Sequence, residues 1–120
     1  MATQDSCCSL HPYFKIHAGK LDAFRALCEE FVEVTSQEAA CLYYGFSFNG
    51  DEAHCREGYT DAAGVLAHLE NVGELLSKAL AISDMLRLEV HGPQAELDKL
   101  REPLGSFDPQ FFALEYGFRN

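Results

Sequence analysis

Tryptophan is absent from these 120 residues, and the 9 basic side chains are outnumbered by 19 acidic ones. Each shortage excludes something. A formal charge of −10 repels polyanions, so neither a nucleic acid nor an acidic membrane surface is an expected partner. No apolar run approaches the roughly 20 residues of a membrane span. The opening stretch MATQDSCCSL lacks a basic region followed by an apolar core, so no signal peptide is expected and the cytoplasm is the expected compartment. The 5 cysteines form neither a CxxC pair nor a Cys/His group with metal-site spacing, and no metal is expected. Cys7 and Cys8 are placed in a flexible tail over residues 1–9, and Cys28 on the apolar face of a helix.

What is present describes one globular domain over residues 10–120, with 48% hydrophobic and 23% charged residues. Alternation of Phe14 and Ile16 with Tyr13, Lys15 and His17 predicts a strand over 10–17. From Lys20 to about Glu38 the recurrence of Leu21, Phe24, Leu27, Cys28, Phe31 and Val34 predicts a helix, with Glu29, Glu30, Glu33 and Glu38 off the stripe and solvated. A strand over 41–49, the turn Asn49-Gly50-Asp51 and a strand over 53–59 read as a hairpin. Asp61 is the expected N-cap of a second helix that runs to about Ala81. A strand over 85–91 places Leu86, Leu88 and Val90 on one face and Arg87, Glu89 and His91 on the other. After Gly92-Pro93 come a short helix through Leu104 and a last strand over 111–118.

The order β-α-β-β-α-β is the α+β ferredoxin-like arrangement, here with a C-terminal helix and strand added from about residue 92. Two helices cover one face of such a sheet. The other face carries Tyr13, Lys15, His17, Arg87, Glu89 and His91, a mixture suited to lining a cavity between two sheets. A homodimer is expected, with the last strand pairing across it.

Three stretches carry a family resemblance. Lys15–Lys20 (KIHAGK) resembles the first-strand exit of the antibiotic biosynthesis monooxygenase-like proteins, and CLYYGFSFNGDE is similar to their second strand and hairpin. REGYTDAAGVLAHL resembles their carboxylate-to-histidine motif in Glu57, Tyr59, Asp61 and His68. Asn71, Val72, Gly73 and Glu74 stand where many relatives carry a second histidine, and without tryptophan the haem-degrading branch is disfavoured. The resemblance implies a dimeric α/β barrel and a cofactor-independent oxygenase that deprotonates a small aromatic, quinol or polyketide-like molecule and lets the anion meet dioxygen. Such chemistry needs a base, donors for an oxyanion and a dry pocket. The alternative is a non-catalytic, ligand-binding or stress-related barrel.

Glu57 is the expected acid or base, since burial would lift its pKa toward neutrality; an ion pair with Arg56, Arg87 or Lys15 is the competing reading. His68, His17 and His91 are the further catalytic candidates, with His17, His91 and Glu89 expected to converge across adjacent strands. Tyr13, Tyr59, Lys15, Arg87 and Glu89 are the substrate-binding candidates. His54 and Arg56 should point away from Glu57.

Overall fold

Apolar alternation becomes five strands and three helices in the computed structural model, which describes residues 3–120. They follow the chain as β1 (Cys8–Ile16), α1 (Leu21–Thr35), β2 (Cys41–Asn49), β3 (Glu52–Tyr59), α2 (Ala62–Ala81), β4 (Ser83–Gly92), α3 (Gln94–Leu97) and β5 (Gln110–Ala113). A short 3-10 turn, Gly105–Phe107, precedes β5. The sheet order is β2-β3-β1-β4-β5, so the first four strands have the ferredoxin-like arrangement. Every pairing is antiparallel except that of β5 with β4.

Local chemistry explains the boundaries. Gly50, at φ +62°, supplies the left-handed residue of the β2–β3 hairpin. Asp61 caps α2, its Oδ1 accepting the Gly64 N–H at 3.0 Å. Both long helices lie on one face of the sheet. Under α1, Phe14, Phe24, Phe31, Val72 and Ala79 form one apolar cluster. Tyr59, Val65 and Val90 form a second with Leu97, Leu100 and Leu104 from the C-terminal extension. No helix among the described residues is long and apolar enough to cross a membrane.

Four expectations are corrected. β1 begins at Cys8, whose side chain is buried in strand rather than in a tail, because it packs beside Tyr59 and Val90. In β4 a bulge puts Met85 opposite Phe14 and Arg87 opposite Tyr13. Leu86 is thereby displaced from the core face and left 52% exposed, while Leu88 and Val90 stay buried. The helix after Pro93 ends at Leu97 and continues as turns. The last strand stops at Ala113 and pairs parallel with β4 of its own chain.

Leu97, Leu100 and Leu104 are each fully buried, which makes the extension part of the core. Leu100→Ala should therefore cost about 2–5 kcal/mol. Urea unfolding would measure it; a loss below about 1 kcal/mol would mean that the extension packs only loosely.

Candidate functional site

The two-residue period of β3 turns Ala53, Cys55, Glu57 and Tyr59 toward the helices, and all four are buried. Three of them suit an apolar layer. Glu57 does not: an unpaired carboxylate there would cost several kcal/mol, so the group responds by holding its proton. Burial pushes its pKa up to about 7, against the opposing pull of hydrogen bonds from Tyr59 and Cys55. The Tyr59 hydroxyl donates to Glu57 Oε1 at 2.7 Å. Lys15 and Arg87, proposed ion-pair partners, are engaged elsewhere, with Asp51 and Glu89. Arg56 projects from the other face, its guanidinium 5.1 Å from the centre of the Tyr43 ring.

α2 supplies the partner. His68 is 3% exposed, with Nε2 3.4 Å from Glu57 Oε1 and Nδ1 2.9 Å from Glu38 Oε2. Glu38, expected in solvent, follows α1 and turns inward, and Asn71 Nδ2 donates to the same oxygen at 2.8 Å. With Glu38 as acceptor, His68 carries its proton on Nδ1 and presents the Nε2 lone pair to Glu57. Burial holds the imidazole below its ordinary pKa, partly offset by Glu38. The outcome at neutral pH is a carboxyl near its midpoint facing a neutral imidazole, a pair suited to exchanging a proton with a bound molecule.

The pair borders a cavity of about 50 Å³ between sheet and helices, whose walls include Leu10, Phe31, Tyr44, Leu88 and Phe107. Tyr44 and Tyr59 lay their rings against His68, with centroids 5.3 and 5.1 Å away. Among the described residues no three His, Cys, Asp or Glu side chains converge as a metal-ligand set.

The nine sequence candidates separate into three places. Glu57, Tyr59 and His68 meet under the helices. Tyr13, Arg87, Glu89 and His91 lie together on the open face, where Arg87 sits 4.6 Å above the Tyr13 ring and His91 Nε2 is 3.0 Å from Glu89 Oε1. Lys15 and His17 are exposed near the end of β1, bonded to Asp51 and Asp84. His17 is not brought to His91 and Glu89: strand register sets it beside Asp84 instead. The open face also holds His11, whose ring lies 4.6 Å from that of His91 and whose pKa is lowered by burial and by the neighbouring histidines.

Sequence reasoning missed Glu38, Asn71, Cys55 and Tyr44. Two had a usable signal, since Cys55 shares Glu57's side of β3 and Asn71 shares His68's side of α2 at three residues' spacing. Glu38 lies beyond the end of α1 and no periodic pattern reaches it.

No protein-family model matches the chain, and no curated protein does. Among solved structures, MupZ from Pseudomonas fluorescens is 52% identical, with a TM-score of 0.94 over 100% of this chain and 94% of that one. A putative antibiotic biosynthesis monooxygenase from Nitrosomonas europaea is 13% identical, with a TM-score of 0.69 over 78% of this chain and 96% of that one. Another from Chloroflexus aurantiacus is 19% identical, with a TM-score of 0.62 over 73% and 93%. These two share the fold.

The raised pKa of Glu57 has a signed consequence for stability. The native state keeps this proton up to about pH 7, whereas the unfolded chain releases it near 4.5, so the stabilisation is full below pH 4.5 and is lost as pH rises through 7. Relative to Glu57→Gln, the wild type should lose about 3 kcal/mol between pH 4.5 and pH 8. Chemical denaturation of both proteins across that range tests this; a constant difference would mean an unshifted carboxyl.

Proposed function

Because the chain belongs to one family with MupZ from Pseudomonas fluorescens and has the antibiotic biosynthesis monooxygenase-like fold, we propose that it is a cofactor-independent monooxygenase. Its substrate is a small aromatic, quinol or polyketide-like molecule, and Glu57 is its acid–base group. The observation that supports this is the buried Glu57–His68 pair on the wall of an apolar cavity. A carboxyl with a pKa of about 7 is available in both protonation states under working conditions.

In this reading Glu57 takes the proton of an acidic O–H or C–H. On a substrate with an activated methylene, the carbanion bonds one oxygen atom of dioxygen, and the peroxide so formed takes the proton back from Glu57. Loss of the second C–H proton with cleavage of the O–O bond leaves a carbonyl on that carbon and releases the other oxygen atom as water. Tyr59 steadies the carboxylate while it is charged, His68 Nε2 accepts from the carboxyl once it is protonated, and Glu38 and Asn71 hold the imidazole ring. The open sheet face is assigned to a second copy of the chain. Phe112 supports that assignment, being 46% exposed while its ring stacks on His91 at 4.7 Å.

A specific observation favours a second reading, a barrel that binds without catalysing. The cavity of about 50 Å³ is smaller than the ~150 Å³ of an engineered cavity that takes up benzene. Oxygen uptake against a panel of hydroquinones and anthrones separates the two. Saturable uptake is expected, and Glu57→Gln should lower kcat/KM by ~10²–10⁴-fold, the usual range for a general acid–base group. Full turnover in the variant would remove Glu57 from the mechanism, and no uptake across the panel would favour the binding protein.

A further inference from the structure

The cavity at Glu57 shares a wall with a larger space outside it. On the flank between the end of α2, β4 and the 3-10 turn lies an outer pocket of about 510 Å³, bordered by Leu80, Asp108, Pro109 and Gln110. Met85, Leu88 and Phe107 line both spaces. The pocket beside Glu38 and Cys41, by contrast, touches the inner cavity through Tyr44 alone.

The three shared residues differ in freedom to move. Leu88 is buried and held in the ladder between β4 and β1. Met85 is half-buried and unbranched, with a side chain that adapts its shape readily. Phe107 is half-buried at the end of a three-residue 3-10 turn. The next residue, Asp108, is held in the left-handed region at φ 49°, ψ 54°. It precedes Pro109, which pushes its neighbour toward extended backbone. Backbone strain of this kind persists only where surrounding contacts hold it, and a moving turn can release it.

We propose that the two chambers form one binding site, with Phe107 and Met85 as the door between them. Its ligand is elongated and amphiphilic. An apolar reacting end displaces the door and enters beside Glu57, and a polar remainder stays in the outer chamber near Asp108 and Gln110. This rests on reading the inner cavity as a binding site. It resolves the cavity's small volume, because withdrawal of Phe107 joins the chambers. Phe107 then determines which molecules are admitted.

Cys55 provides a reporter, since it lines the inner chamber and is 1% exposed, while Cys28 on α1 lies outside both chambers and serves as reference. Methyl methanethiolsulfonate is the probe: the thiolate attacks its sulfenyl sulfur, a methyl disulfide forms, methanesulfinate leaves and the thiol proton goes to buffer. Peptide mass mapping gives each rate. Phe107→Ala should raise the Cys55 rate at least ten-fold and leave that of Cys28 unchanged. Gln110→Trp, which fills the outer chamber from an exposed position, should lower the Cys55 rate at least three-fold. The shape of the ligand is read by protection of Cys55: 6-phenylhexan-1-ol should protect the wild type but lose that effect in Gln110→Trp, whereas phenol should protect both equally. An unchanged Cys55 rate in Phe107→Ala, or one that rises in step with Cys28, would overturn the door. Unchanged Cys55 rates in Gln110→Trp, or equal behaviour of the two alcohols, would overturn the outer chamber. None of these readings involves oxygen chemistry, so the site and the oxygenase reading fail or stand separately.

Discussion

One carboxyl group placed in an apolar layer governs the arrangement around it. Glu57 lies where the sheet meets α2, and burial there demands partners that a leucine would not need. Tyr59 answers from the same strand, Cys55 from two residues before, and His68 from the helix above. His68 in turn is fixed by Glu38, and Glu38 by Asn71. The chain segment after α1 is thus tied to α2 by polar contacts within a largely apolar interface. Partial satisfaction matters here as much as satisfaction. A fully paired carboxylate would be inert at neutral pH, and an unpaired one would destabilise the fold.

The strand period divides the chemistry of the molecule between two faces. Odd-numbered positions of β3 meet the helices and even-numbered ones meet the open side, so neighbours in sequence work in unlike surroundings. Beneath the helices the titratable groups are few and dry. On the open face His11, His54 and His91 lie among Tyr13, Arg87 and Glu89, in contact with one another through ring stacking and ion pairs. The cavity with the buried acid lies between the sheet and the helices, while the mixed face lies on the opposite side of the same sheet.

Much of the fold was legible because it depends on local periodicity. The spacing of Phe24, Cys28 and Phe31, the Asn-Gly turn and the Asp61 cap all act within a few residues, and the elements follow them. Leu86 was misplaced because a bulge reverses the inward and outward sense of a strand without altering composition. Cys8 was misplaced because a short polar stretch precedes it, and only the pairing with β3 shows that it is strand. The parallel return of β5 depends on the path through α3 and its turns, for which alternation gives no information. In the site, Glu57, Tyr59 and His68 share a readable motif. Glu38 reaches them only in three dimensions, and the surroundings that separate His17 from His91 are set by register.

The sheet order carries a consequence for how the chain comes together. β1 is made first yet ends in the middle, between β3 and β4. During synthesis its apolar side chains, Leu10, Phe14 and Ile16 among them, have no neighbouring strand until the hairpin has been made, and no second one until β4 emerges. At ~5–20 residues per second that delay lasts roughly 4–15 s. Until the hairpin is made the strand is unpaired and sticky, and until β4 emerges one of its edges stays open. The strand that later anchors the sheet is therefore the one most in need of a chaperone's cover.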